Sequence, residues 1–314
     1  MKKILLACLC LVAVVSSVLL YKINFTEKIV SETRLVATVS PTAYETQKAK
    51  PVTHISIRPE KIYPGDPVFI TIDSPETVKE LFFDKQKISV FEYEGKPRGL
   101  SAINFSETNL LHEVKVIFTD GQIATTSVAI APRAKIERPV GIPEKLGGNT
   151  KEAGKALVTN LAIENAVLAD IETTEAILWK NAFQFPLDDV FVTDPYGYNR
   201  DTVGQTIVHK GTDFRAVEGT KVMAMNAGVV RLARQFTVYG NTIVIDHGLG
   251  VATLYMHLSK INVKNGDTVT RGQVIGASGE TGYAEAPHLH ISVKIKGISI
   301  DPMTFLGFFS NQSE

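Results

Sequence analysis

Short runs of alternating apolar residues recur along most of the chain, and this period of two restricts it to a mainly β fold. The runs begin with Ile55 and Ile57, continue through Val68, Ile70 and Ile72, and return as Val114, Val116 and Phe118. Successive strand side chains point to opposite faces, so each run reads as a half-buried strand. Pro64-Gly65-Asp66 and Asp120-Gly121 separate them as turns, and the Asp-Gly pair between Val114–Phe118 and Ile123–Ile130 is a hairpin signal. An amino-terminal β-sandwich, immunoglobulin-like in style, fits residues 52–132. Its two histidines, His54 and His112, stand isolated among strand residues and read as structural.

At 314 residues the chain exceeds the usual size of one domain, so two folded units are expected. Pro132 to Gly148, with Pro139, Pro143 and Gly147-Gly148, breaks the strand pattern as a linker. Leu157, Leu161, Leu168 and Ile171 then recur at helical spacing, which predicts an amphipathic helix within a linking segment, residues 133–185. After Trp179 the alternating runs return and continue to Phe305, with turns at Gly197, Gly240, Gly266 and Gly272, so residues 186–310 form a second, β-rich domain.

Met1-Lys2-Lys3 followed by the uncharged, mainly apolar run Ile4–Tyr21 directs the chain to a membrane. Cleavage after Ser17 and retention as a marginal span are both open, and the anchor is the preferred reading of residues 1–23. Leu5-Leu6-Ala7-Cys8 has the form of a lipidation site, but too little apolar sequence precedes it. The polar residues 24–51 read as a spacer that holds the rest away from the membrane. Both cysteines, Cys8 and Cys10, lie in the leader, which excludes a disulfide, a cysteine nucleophile and a thiolate metal site elsewhere. Lys plus Arg and Asp plus Glu both total 33, so no basic field exists to hold nucleic acid.

Five of the seven histidines fall between His209 and His290. That concentration marks a site. Pro287 to Val293 alternates as a strand, so His288 and His290 point to one face, and paired neutral imidazoles suit zinc. In His209-Lys210-Gly211-Thr212-Asp213 an imidazole and a carboxylate flank a glycine that permits a tight fold, so both can reach one ion. Two histidines and one carboxylate leave a fourth coordination position open, the form of a catalytic zinc. In the run Val251–Leu258, Tyr255 and His257 share a face. If that face lines the same groove, His257 and His288 are free to serve as base, acid or hydrogen-bond donor. Spacing alone leaves open which of His288 and His290 takes the metal.

These residues resemble the lysostaphin-type zinc metallopeptidases, which are peptidoglycan endopeptidases. The resemblance runs from Thr193-Asp194-Pro195-Tyr196-Gly197-Tyr198-Asn199-Arg200 through His209–Asp213, Tyr239-Gly240-Asn241, Asp246-His247-Gly248, Tyr255-Met256-His257-Leu258, Gly266-Asp267, Gly272-Gln273 and Pro287-His288-Leu289-His290. It implies one Zn2+ per chain on His209, Asp213 and His290, with His257 and His288 as the catalytic pair. It also implies a β-rich peptidase domain with a narrow groove, acting on the peptide stems of bacterial peptidoglycan. The expected location is the cell envelope, either anchored in the inner membrane and facing the periplasm or secreted. The sandwich is expected to be a positioning module, with contact to a protein partner or to the wall equally open.

Two departures from the resemblance stand out. Gly282-Tyr283-Ala284-Glu285-Ala286 replaces a Gly- and Ser-rich loop, giving a bulkier, acidic rim. Ile291 and Ser292 stand where relatives often have Phe and Glu, which reads as a change to strand packing more than to chemistry. His247 reads as a turn residue and not a ligand, while Glu285 and Tyr255 stay open between rim packing and substrate contact. The competing reading is a catalytically silent or latent wall-binding regulator of other hydrolases, with latency arising if residues 145–190 cover the groove.

Overall fold

A computed structural model describes residues 53–74 and 76–310. The leader, the polar spacer and both cysteines lie outside the described residues, so the anchor expected at 1–23 does too. Among the described residues no helix is long and apolar enough to cross a membrane.

The fold is mainly β, as the alternation predicts. The first eight strands are β1 (His54–Arg58), β2 (Pro67–Asp73), β3 (Val78–Phe83), β4 (Gln86–Ile88), β5 (Val90–Tyr93), β6 (Lys96–Ala102), β7 (Leu111–Phe118) and β8 (Ile123–Ala129). They form two four-stranded sheets, ordered β1-β2-β6-β5 and β4-β3-β7-β8. One core joins them: Val68, Ile70 and Ile72 meet Leu81, Phe83, Val114 and Val116. The Asp120-Gly121 turn closes the β7–β8 hairpin at the pair Ile117↔Ile123, as its sequence demands. His112 is buried here, with Nδ1 2.7 Å from Asp84 Oδ2.

The next elements are β9 (Glu137–Pro139), a 3-10 turn (Glu144–Leu146) and helix α1 (Lys151–Ala169). The Thr150 hydroxyl caps α1 by accepting from Ala153 N at 3.2 Å. Ile171, grouped with the helix by its spacing, lies past the helix end. The stretch read from its prolines as a bare linker is in part a strand, since β9 pairs in parallel with β11.

The remaining strands are β10 (Val192–Asp194), β11 (Asn199–Thr202), β12 (Gln205–Val208), β13 (Thr212–Arg215), β14 (Lys221–Met223), β15 (Gly228–Gln235), β16 (Asn241–Gly248), β17 (Val251–Leu258), β18 (Lys260–Ile261), β19 (Thr268–Val269), β20 (Val274–Ala277), β21 (His288–Ile295) and β22 (Ile298–Ile300). The main sheet runs β10-β13-β21-β17-β16-β15-β19, with β22 paired to β21. Its central strands are buried on both faces; every residue of β17 is buried. One face belongs to a core that holds Phe214, Ile243, Ile245, Tyr255, Leu289 and Ile291.

The chain then forms helix α2 (Pro302–Ser310), an element that the alternating pattern did not reveal. Its phenylalanines join the same core and meet the outer face of the β2/β6 sheet. There Phe69 and Phe308 stack with ring centroids 3.6 Å apart and planes 3° off parallel.

Candidate metal centre

The main sheet builds the site by register. Asp213 on β13 lies directly opposite His290 on β21, and Met256 on β17 flanks His290 from the other side. His209 sits just before β13, held by hydrogen bonds from Gly197 N to His209 O and from His209 N to Tyr198 O. Gly211 is needed here for space, not for left-handed backbone. A Cβ there would come within 2.2 Å of His290 Nε2 and 2.6 Å of Ile291 O.

Three potential ligand atoms converge: His209 Nε2 is 3.2 Å from Asp213 Oδ1 and 3.1 Å from His290 Nδ1, which is 2.7 Å from the same oxygen. The residues form one compact, buried group with metal-ligand chemistry. Their mutual distances approach the edge of about 3.3 Å expected between tetrahedral ligands that lie about 2.0–2.1 Å from zinc.

The protonation of each ring follows from its other nitrogen. His209 Nδ1–H donates to Pro195 O at 3.0 Å. His290 Nε2–H donates to Ser292 Oγ at 2.9 Å, and that hydroxyl donates to Lys210 O at 2.9 Å. The nitrogens facing Asp213 are therefore lone pairs beside a carboxylate, an arrangement that a cation satisfies and that neutral hydrogen bonding does not. The donor set fits zinc with one position left open. Ser292 is thus more than a change of strand packing: its hydroxyl fixes the tautomer of His290.

His257 and His288 complete the group. Their ring centroids are 4.8 Å apart, and His257 lies 6.0 Å from His290. His257 Nδ1–H donates to Thr281 O at 2.9 Å and His288 Nδ1–H to Ala286 O at 2.8 Å, so both carry a free lone pair on Nε2. His288 Nε2 lies 3.8 Å from Asp213 Oδ1. All five residues singled out from the sequence come together.

The alternation argument for His257, however, fails in its detail. Tyr255 pairs with Ile291 on the core face and is fully buried; its hydroxyl accepts from Met225 N at 2.8 Å. Regular alternation would send His257 to that core face as well. Its backbone instead takes φ +60°, with irregular β16–β17 register beside it, and the ring turns to the face of His290. Histidine tolerates this region better than most residues, but the conformation still costs on the order of 1 kcal/mol or more. Tyr255 is therefore a core residue. His247 lies inside β16 and not in a turn: Nδ1 bonds Ala227 O and Nε2 bonds Thr253 Oγ1, both at 2.8 Å. Glu285 is exposed on the rim, and a Cβ on Gly141 would meet its Oε1 at 2.5 Å.

Arg200 supports the group from outside it. It donates from Nε to Asp194 Oδ2 at 2.9 Å and from Nη2 to Asp213 Oδ2. That engages one carboxylate oxygen and leaves Oδ1 for the metal side. Asp213 stays ionised despite its burial, with its carboxyl held well below the usual range. Burial lowers Arg200, and the charges of Asp213 and Asp194 more than restore it. Burial also pulls His290 down to about 4, and burial together with His288 and His290 pulls His257 down to about 3. Both rings stay neutral at ordinary pH, the form that offers a lone pair.

Residues 207–302, which hold this whole group, match the family model described as Peptidase family M23. The chain carries an M23 peptidase domain. It is 46% identical over 95 residues to peptidoglycan DD-endopeptidase ShyA of Vibrio cholerae, a match covering 30% of this chain and 22% of that protein. It is 38% identical over 120 residues to DD-carboxypeptidase/endopeptidase Mpg of Neisseria meningitidis, covering 38% of this chain and 28% of that protein. The chain thus spans about a quarter of the length of these curated relatives. A crystal structure from Pseudomonas aeruginosa, described as a candidate M23 peptidase, superposes with a TM-score of 0.58 at 26% identity, covering 79% of this chain and 96% of that one. That likeness extends well beyond the M23 segment.

Proposed function

We propose that this chain is a zinc-dependent endopeptidase of the bacterial cell envelope that hydrolyses peptide cross-links of peptidoglycan. The observation that carries this reading is the convergence of two imidazole lone pairs and a carboxylate oxygen beside two further histidines with free Nε2 atoms. The activities named for the Vibrio and Neisseria relatives favour a wall peptide as substrate.

His209, Asp213 and His290 would hold the ion. Zinc bound there supplies Lewis acidity, which polarises the scissile carbonyl and makes water more acidic. The protein groups perform the remaining steps. His257 is buried, so a charge on it is costly, and its Nε2 accepts a hydrogen bond that orients the attacking water. His288 is only half buried and takes the proton that the water loses on attacking the carbonyl carbon. It then passes that proton to the leaving amine as the C–N bond breaks, yielding a carboxylate and an amine. Arg200 stays on Asp213 Oδ2 throughout and offsets the buried negative charge.

The presence of all five positions favours catalysis over a silent wall-binding role. The leader Ile4–Tyr21 would hold the peptidase at the inner membrane facing the wall, and the sandwich would position it there or meet a protein partner. The test is muropeptide release from purified peptidoglycan by the full chain and by His288→Ala. The variant is expected to keep its zinc and to lose roughly 100-fold or more in rate, the usual scale of general acid–base catalysis. A variant that cuts at the wild-type rate removes His288 from the mechanism.

A further inference from the structure

Beyond the proposed ligands the same sheet face carries a cation that the mechanism leaves unused. Register from β13 to β21 is unbroken: Asp213 lies opposite His290, Phe214 opposite Leu289, and Arg215 opposite His288. Phe214 and Leu289 are fully buried in the core, so the residues on either side of them turn to the opposite face, where the site lies. Arg215 therefore stands beside His288, its antiparallel partner, and residues so paired have Cβ atoms about 4.5–5.5 Å apart. One step of two residues along either strand, about 7 Å, separates this pair from Asp213 and His290.

The chain entering β10 holds the guanidinium in place. Arg215 N donates to Phe191 O at 2.9 Å. Val192, the next residue, pairs with Phe214 and packs on the core, which leaves Phe191 on the site face. There Phe191 is 51% exposed, and Arg215 Cζ lies 4.4 Å from its ring centroid. The ion pair from Arg215 Nη2 to Asp189 Oδ2 is too long for a hydrogen bond at 3.8 Å, and the two side chains are 61% and 90% exposed. Such a pair contributes little. The ring thus limits the freedom of the arginine side chain while its N–H edge remains open to a ligand.

We infer that Arg215 selects the substrate by charge, binding a free carboxylate on the leaving-amine side of the scissile bond. The inference rests on the proposed peptidase reading, in which His288 hands a proton to the leaving amine. That amine must come within hydrogen-bond reach of His288, and the residue that carries it then lies beside Arg215. A cross-link made through a diamino acid offers a matching group when the carbon bearing the linking amine also keeps a free carboxylate. A guanidinium meets that group with two parallel N–H···O bonds. A carboxamide at the same place has one acceptor and turns an NH2 towards the cation, and a bridge of glycines has no charge there at all.

The experiment gives the full zinc-loaded chain two purified cross-linked dimers that differ only at this group, carboxylate or carboxamide, and compares kcat/KM for the wild type, Arg215→Gln and Arg215→Glu. Zinc content and the denaturant midpoint verify that each variant is folded. The wild type should cut the carboxylate form about 10–100-fold faster, the usual worth of hydrogen bonds to a charged group. That ratio should fall to near unity in Arg215→Gln and below it in Arg215→Glu. A wild type indifferent to the carboxylate overturns the inference. So do variants that lose rate equally on both dimers, an outcome that makes Arg215 a strut for Phe191. If the wild type cuts neither dimer, binding is read instead: a preference for the carboxylate form that Arg215→Gln abolishes upholds the subsite and removes the peptidase reading, whereas no preference removes both.

Discussion

Ser292 shows how much of a metal site lies beyond its ligands. Its hydroxyl accepts a hydrogen bond from His290 Nε2–H and donates one to Lys210 O, so the ring presents Nδ1 to Asp213. Ser292→Ala leaves the three ligands in place but frees the ring, and loss of such a partner typically weakens metal binding about 10–100-fold. Competition against a chelator of known affinity measures this; an unchanged zinc affinity would remove Ser292 from the account. His247 makes a different residue-scale prediction. Burial holds it at about 4 in the folded chain against an ordinary value of 6.5, so the unfolded chain binds the extra proton between those values. The stability it contributes is full above pH 6.5 and is lost as pH falls through about 4, by roughly 3 kcal/mol. Denaturant midpoints followed from pH 7 to pH 4 should fall less steeply in His247→Gln than in the wild type. That five residues of the candidate site would converge was legible in the sequence, because chemistry fixes their types and their motifs occur in order. Ser292 and Arg200 were not, because a serine or an arginine acquires its role only from the neighbour that register brings to it.

At the scale of elements, the β-strands and the β7–β8 hairpin follow from alternation and from Asp120-Gly121, whereas β17 shows where alternation stops being a guide. A period of two places Tyr255 and His257 together; one left-handed residue at His257 sends Tyr255 to the core and His257 to the site. That turn is held by neighbouring loops, since His257 N donates to Tyr239 O and His257 Nδ1 donates to Thr281 O. Gly240 joins the same two loops. It has φ +63°, and a Cβ there would stand 2.4 Å from both Thr281 O and Thr281 Oγ1. Gly240→Ala should therefore cost on the order of 1–3 kcal/mol in denaturant unfolding and lower the cleavage rate along with it. Full stability in the variant would mean that the two loops do not bear on each other. Helix α1 was legible from Leu157, Leu161 and Leu168, but its seat against Val203, Val238 and Leu254 was not, because helical spacing names an apolar stripe without naming what the stripe meets.

At the scale of the whole molecule, the two β units are joined by more than the stretch between them. Phe69 and Leu100 on the outer face of the β2/β6 sheet share a core with α2, and Arg133 ties Pro64 O and Asp66 to the same side of the molecule as Asp301. The sequence separates the units at its prolines and glycines and is silent on this contact, which depends on residues far apart in the chain. The arrangement of sheet and histidines is accounted for as a whole if the centre holds zinc and cuts peptide. The most direct measurement is zinc content together with muropeptide release for the full chain and for His290→Ala. The account predicts about one zinc per wild-type chain, as three protein ligands with one open position require, and measurable release, both lost in the variant. A wild-type chain that takes up no zinc, or a variant that keeps both metal and cleavage, would contradict it.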